Sequence, residues 1–221
     1  GRWIGNAELE RICSEALGRL ARHTPPHRKN KQAAALLGLA GIITPAEANA
    51  VIAAGGAQGF STFYGYYMLE AMAMAGDHEG AMRIMSDYWG LMLDLGATSF
   101  WEDLDYSDGR RAARIDEFVP DGRFDFHRDS GKYCYKGLRH SFCHGWASGP
   151  APWLTWHVLG LRPVEPGCRT VEFDPHLGQL DWVKGTFPTP RGVITASCRK
   201  NPDGTLTTEV KAPAGIRIVR K

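Results

Sequence analysis

Four carboxylates, Glu102, Asp103, Asp105 and Asp108, stand directly behind Trp101 in the stretch GATSFWEDLDYSDGRR. Three of them, Asp103, Asp105 and Asp108, read as helix caps or solvated loop acids. Glu102 is different, because it abuts a large aromatic where an apolar helical run rich in Met and Leu comes to an end. A carboxylate against an aromatic wall is partly stripped of water, which suits general acid–base work. Trp101 offers a flat apolar face on which the C–H side of a sugar ring could rest. A second group lies in KYCYKGLRHSFCHGWASGPAPWL, where His140 and His144 are four residues apart with Cys143 between them. That spacing permits a metal pair on a helix, but no further ligands stand at matching spacing, so no metal is expected. His140 reads as a structural histidine. His144 precedes Gly145 and Trp146 at a helix start, where its imidazole could hydrogen-bond a hydroxyl and Trp146 could stack on a ring. The third group is the aromatic run Phe60, Phe63, Tyr64, Tyr66 and Tyr67. Such a run packs a core or lines a cleft; Phe60 and Tyr64 are the cleft candidates because they follow the glycine-rich turn Gly55–Gly59. No phosphate-binding loop, dinucleotide fingerprint or nucleophile elbow is present, and no cofactor is expected.

These groups must be positioned by helices. NAELERICSEALGRLARH places Leu9, Ile12, Cys13, Ala16, Leu17 and Leu20 on one face, with Asn6 as cap. NKQAAALLGLAGI is apolar nearly all round, as a buried inner helix would be. TPAEANAVIAAGG starts at Thr44 and Pro45, STFYGYYMLEAMAMAG at Ser61, and DHEGAMRIMSDYWGLMLDLG carries Met82, Met85, Trp89 and Met92 in helical register. The alternation of apolar and amphipathic helices suits a double layer. From Trp101 to His140 periodicity lapses into a long loop, and a further helix is expected from about Gly145 to Leu159. After Pro166 the texture changes to short β-branched runs broken by turns, Asn201-Pro202-Asp203-Gly204 being the strongest. The expectation is a mixed, mainly α chain: helical residues 1–160, then a small antiparallel β domain over 161–221.

The formal net charge of +2 gives no reason to expect a nucleic-acid partner, and no run is apolar enough to suggest a membrane span. Five cysteines without paired or zinc-type spacing point to reduced thiols and a cytoplasmic setting, with a periplasmic or secreted one left open.

GATSFWEDLD, HSFCHGWASGPAPWLTWHVLGLRPVEPGCRTVEFDPHLG and GTFPTPRGVI, in that order, resemble the C-terminal part of the inverting α-L-rhamnosidases, glycoside hydrolase family seventy-eight. The similarity extends upstream through NKQAAALLGLAGI and STFYGYYMLEAMAMAGDHEGAMRIMSDYWGLML. It implies the second half of an (α/α)6 barrel followed by a β-sandwich. It further implies that Glu102 is the general base, His144 a substrate-binding residue, and Trp101 and Trp146 walls of the sugar pocket. The substrate would be a rhamnose-containing glycoside or oligosaccharide, hydrolysed with inversion. The chain supplies about half the helices of such a barrel, and nothing in it matches the family's general acid, which is expected upstream. A homodimer, or the upstream half of the same polypeptide, would cover the exposed flanks. The competing expectations are a different glycosidase or phosphorylase on the same barrel, and a carbohydrate-binding remnant without turnover.

Overall fold

A computed structural model describes residues 4–23, 25–129 and 141–221. Its helices are α1 (Ala7–Ala21), α2 (Lys31–Leu39), α3 (Pro45–Ala53), α4 (Thr62–Met74), α5 (His78–Asp94), α6 (Tyr106–Gly109), α7 (Phe126–Asp129) and α8 (Pro150–Trp153). Six strands follow: β1 (Leu161–Pro163), β2 (Thr170–Phe173), β3 (Trp182–Thr189), β4 (Gly192–Lys200), β5 (Leu206–Lys211) and β6 (Arg217–Arg220). The chain divides into two compact units, one of Lys29–Leu39 and Pro45–Trp153, the other of Gly1–Arg28, Ala40–Thr44 and Leu154–Lys221.

In the first unit, side chains close the exposed ends of helices. Asp77 accepts the Gly80 amide at 2.9 Å to start α5, and Asn49 of α3 donates to the same carboxylate at 3.1 Å. Along α5 the buried positions Ala81, Ile84, Met85, Tyr88, Trp89 and Met92 recur at three- and four-residue spacing, which gives one continuous face. Where α4 faces α5 the contact is close. A Cβ on Gly65 would lie 2.5 Å from the Trp89 ring, so only glycine fits there. The Trp89 indole in turn donates to the Ala147 carbonyl at 3.0 Å, which fixes the turn that carries Trp146. Lys31 is buried at the start of α2, where its ammonium donates to Gly56 at 2.6 Å beneath the Phe60 ring; burial holds its pKa below the ordinary lysine value.

Several expectations are revised here. Helix α2 is not buried all round: Ala34, Ala35 and Gly38 are buried while Leu36 is exposed. Ser61 sits in the extended cap conformation before α4, but its hydroxyl makes no capping bond. The helix expected over Gly145–Leu159 is three short pieces, a 3-10 turn at Gly145–Ala147, α8, and a π turn at Leu154–Val158. Pro150 opens α8, where a missing N–H costs nothing.

In the second unit Asn6 caps α1 by accepting the Leu9 amide at 2.9 Å, and no α1 residue is buried. The strands form two three-stranded sheets, ordered β1-β2-β6 and β3-β4-β5. Asn201–Gly204 turns β4 into β5, with the Asn201 amide on Thr205 at 2.8 Å. A core of Leu159, Leu161, Val171, Phe173, Ile194 and Ala196 draws on both sheets. Ile194, Ala196 and Cys198 face inward, and Val193 is exposed, as period-two alternation requires. The pairing is not wholly antiparallel, because β6 lies parallel to β2. The chain leaves through three strands of the other sheet and re-enters beside β2 in the same direction. Alternation specifies faces, not strand direction, so the sequence carried no sign of this.

Candidate active site

Glu102 lies at the end of a strand-like segment that runs from Phe100 beside Ser141–His144. The His144 amide donates to Phe100 at 2.8 Å and the Glu102 amide to Ser141 at 2.8 Å. Beneath this pair Trp101 is fully buried, its ring 4.8 Å from that of His127 and 5.3 Å from that of Phe142. Past Glu102 the chain is pinned again. Leu104 is buried, and the Tyr88 hydroxyl donates to its carbonyl at 2.6 Å. Asp105 caps α6 through the Ser107 and Asp108 amides, and Asp108 pairs with Arg111 at 2.6 Å. Of the acidic cluster, Asp105 therefore serves the local backbone and Asp108 a neighbouring arginine, as helix caps and loop acids do.

The Glu102 carboxylate is mostly enclosed, with 13 % of its side chain exposed. Its Oε2 accepts the Ser141 amide at 2.7 Å, while Oε1 lies 3.6 Å from His144 Nε2. That second distance is too long for a direct hydrogen bond and right for an ion pair when the imidazole is protonated. His144 Nδ1 accepts the Trp146 amide at 3.4 Å, so the neutral ring carries its proton on Nε2, toward the carboxylate. The imidazole stacks on the Trp146 indole at 4.2 Å and 25°. The Trp146 Nε1 donates to the Glu102 carbonyl at 2.8 Å, and Phe63 packs on the other side of Trp146 at 5.5 Å. Tyr64 adjoins Phe63 at 5.1 Å. Glu102, His144, Trp146, Phe63 and Tyr64 thus form one continuous row, from a carboxylate anchored through one oxygen to a strip of half-exposed aromatic surface.

Two candidates fall outside that row. Phe60 is 5 % exposed and packs between Tyr88 and Trp89, so it is core. Trp101 has no exposed surface and supports the Glu102 loop from below rather than forming a wall. Both were read as sugar-contacting because large aromatics serve cores and sugar platforms alike. Phe63 belongs to the aromatic run read as core or cleft lining; Thr62 and Ser141 were not singled out, since each reaches the site through contacts remote in sequence. His140 and Cys134 lie outside the described residues; Cys13, Cys143, Cys168 and Cys198 are free thiols. Among the described residues no cluster of metal-ligating side chains occurs, and no helix is long and apolar enough to cross a membrane.

Residues 160–219 match the bacterial alpha-L-rhamnosidase C-terminal domain. Over these residues the resemblance to the α-L-rhamnosidases is borne out; the stretches around Glu102 and His144 lie outside the match. Solved rhamnosidases share the fold over most of the chain. A GH78 family rhamnosidase of Bacillus sp. GL1 is 23 % identical with a TM-score of 0.65, covering 87 % of this chain and 19 % of its own. The α-L-rhamnosidase of Aspergillus terreus is 16 % identical, TM-score 0.67, covering 87 % and 21 %. That of Streptomyces avermitilis, solved with L-rhamnose, is 19 % identical, TM-score 0.64, covering 86 % and 18 %. At these identities the likeness is one of fold, and the chain spans about a fifth of the length of these rhamnosidases. No curated protein matches the sequence.

Proposed function

We propose that this chain is the C-terminal part of an α-L-rhamnosidase that hydrolyses terminal α-L-rhamnosides with inversion. Helices α2–α5 and α8 would belong to the second half of an (α/α)6 barrel, and the two sheets to a β-sandwich that follows it in the chain. The observation that carries the reading is the Glu102 carboxylate, anchored through Oε2 with Oε1 beside the His144 imidazole, at the head of an aromatic strip. The match of residues 160–219 to the rhamnosidase C-terminal domain supports it.

In this mechanism a rhamnose ring lies against Trp146, where apolar C–H faces meet the indole. Glu102 Oε1 takes a proton from a water on the face opposite the leaving group. The His144 Nε2–H hydrogen-bonds a ring hydroxyl and keeps Glu102 company as charge redistributes. A second carboxylic acid, roughly 6.5–9.5 Å from the first, protonates the leaving oxygen. No residue of the Glu102 loop suits that role: Asp105 and Asp108 are engaged with local amides and an arginine, and all share one short segment. The acid would come from the rest of the longer enzyme.

A second reading rests on the half-exposed row Tyr64, Phe63 and Trp146, which would bind a sugar face without turnover. The assay that decides uses an aryl α-L-rhamnoside with the full-length protein and with the isolated chain, following the product anomer by NMR. Turnover by the full-length protein alone, releasing inverted rhamnose, supports the enzyme. Sugar binding without turnover by either supports the second reading. Turnover by the isolated chain would place the acid within these residues.

A further inference from the structure

We propose that Thr62 is a positioning residue for the Glu102 base, acting through the Glu102 carbonyl rather than through substrate. The inference rests on the reading of Glu102 given above. Thr62 is the first residue of α4 and is 2 % exposed. Its Oγ1 donates to the Glu102 carbonyl oxygen at 2.5 Å across forty residues of sequence. The same oxygen accepts the Trp146 indole N–H at 2.8 Å. A carbonyl oxygen has two lone pairs, so both are occupied.

Two further polar atoms of Glu102 are held as well: its amide on the Ser141 carbonyl at 2.8 Å, and Oε2 on the Ser141 amide at 2.7 Å. The peptide planes on both sides of the Glu102 Cα are therefore tied to other elements, the following one to α4 and the 3-10 turn. Side-chain torsions alone remain, and the Ser141 amide closes those. Thr62 is the member of this set that comes from a long helix. Ahead of it, Gln58 accepts the Ser107 hydroxyl at 2.8 Å, and Gln32 of α2 donates to Gly59 at 3.2 Å, so the start of α4 is itself braced. The hydroxyl passes that rigidity to the residue whose carboxylate must meet a water within a few tenths of an ångström. A misplacement of about 1 Å at a reacting group costs about 10²-fold in rate.

The test compares Thr62→Val, which keeps the shape and removes the donor, with Thr62→Ser, which keeps the donor and removes a methyl. Both are made in the full-length enzyme, beside Glu102→Gln. The expected result is a kcat lowered about 10–100-fold in the valine variant, with KM within about twofold of the parent and kcat restored in the serine variant. If the valine variant is insoluble, Thr62→Ala serves in its place. Valine and serine variants with equal, near-parental kcat, beside a Glu102→Gln variant that is dead, would overturn the role of Thr62 and leave Glu102 as base. A parental kcat in Glu102→Gln would overturn both. A lowered thermal midpoint with unchanged kcat would make Thr62 a merely structural contact and overturn the proposal.

Discussion

Glu102 and Ser141 hold each other twice: the Glu102 amide donates to the Ser141 carbonyl at 2.8 Å, and the Ser141 amide donates to Glu102 Oε2 at 2.7 Å. One carboxylate oxygen is thereby committed to the backbone, and the other, Oε1, lies 3.6 Å from His144 Nε2. The two residues lie thirty-nine positions apart in sequence.

Glu102→Gln should keep this arrangement, because the amide oxygen of Gln still accepts the Ser141 N–H. What it loses is the capacity to take a proton. In the full-length enzyme kcat should fall about 10²–10⁴-fold with an unchanged far-UV spectrum and thermal midpoint. Near-parental turnover would move the base elsewhere.

His144→Ala should weaken turnover about tenfold or more, since it removes both the Nε2–H donor and the ring stacked on Trp146. Trp146 keeps its bond to the Glu102 carbonyl, so folding should survive. A chelator should leave the parental rate untouched; loss of activity that added zinc restores would turn His144 into a metal ligand.

Gly65→Ala tests the packing under the site. The new methyl would lie 2.5 Å from a Trp89 ring that cannot swing away without breaking its bond to Ala147. A destabilisation of about 1–3 kcal/mol is expected, read as a lower urea midpoint at constant slope. Gly90→Ala is the control, because a Cβ there meets nothing within 4 Å.

Alkaline titration probes two tyrosines. Burial first, then the charges of Asp103 and Asp105, hold the Tyr88 phenol well above the ordinary tyrosine range. Burial, then Glu70 and Tyr67, push Tyr66 up to about 12. An unfolded tyrosine loses its proton near about pH 10, while these two keep theirs in the folded state. The folded state then binds more protons than the unfolded one, so stability falls as pH rises above about 10 and is unaffected below. By ultraviolet difference absorbance Tyr66 and Tyr88 should ionise later than a free tyrosine, or only on unfolding. All seven tyrosines titrating together near about pH 10 in folded protein would contradict the burial.

Local signals were legible in the sequence. Asn6 announced a helix start, and Asn201–Gly204 announced a hairpin, because capping and turn chemistry act within a few residues. Glu102 stood out because an acid beside a tryptophan at a helix end is unusual in either a core or a solvated loop. Thr62 and Ser141 were not legible, since hydroxyl and amide act there across the fold and carry no local pattern. Trp101 and Phe60 show the converse: residue type revealed that each packs against something, and left open whether that was sugar or protein.

The amide that fixes Glu102 Oε2 belongs to the main chain, and every residue type except proline supplies one. A saturation library at position 141 should therefore read as broadly permissive, with proline the outlier. Constraint falls instead on spacing: one residue inserted between Glu102 and Ser141 where the two segments meet would present the wrong peptide group to the carboxylate. Substitution scans would pass over this anchor, while scans by single-residue insertion and deletion would find it.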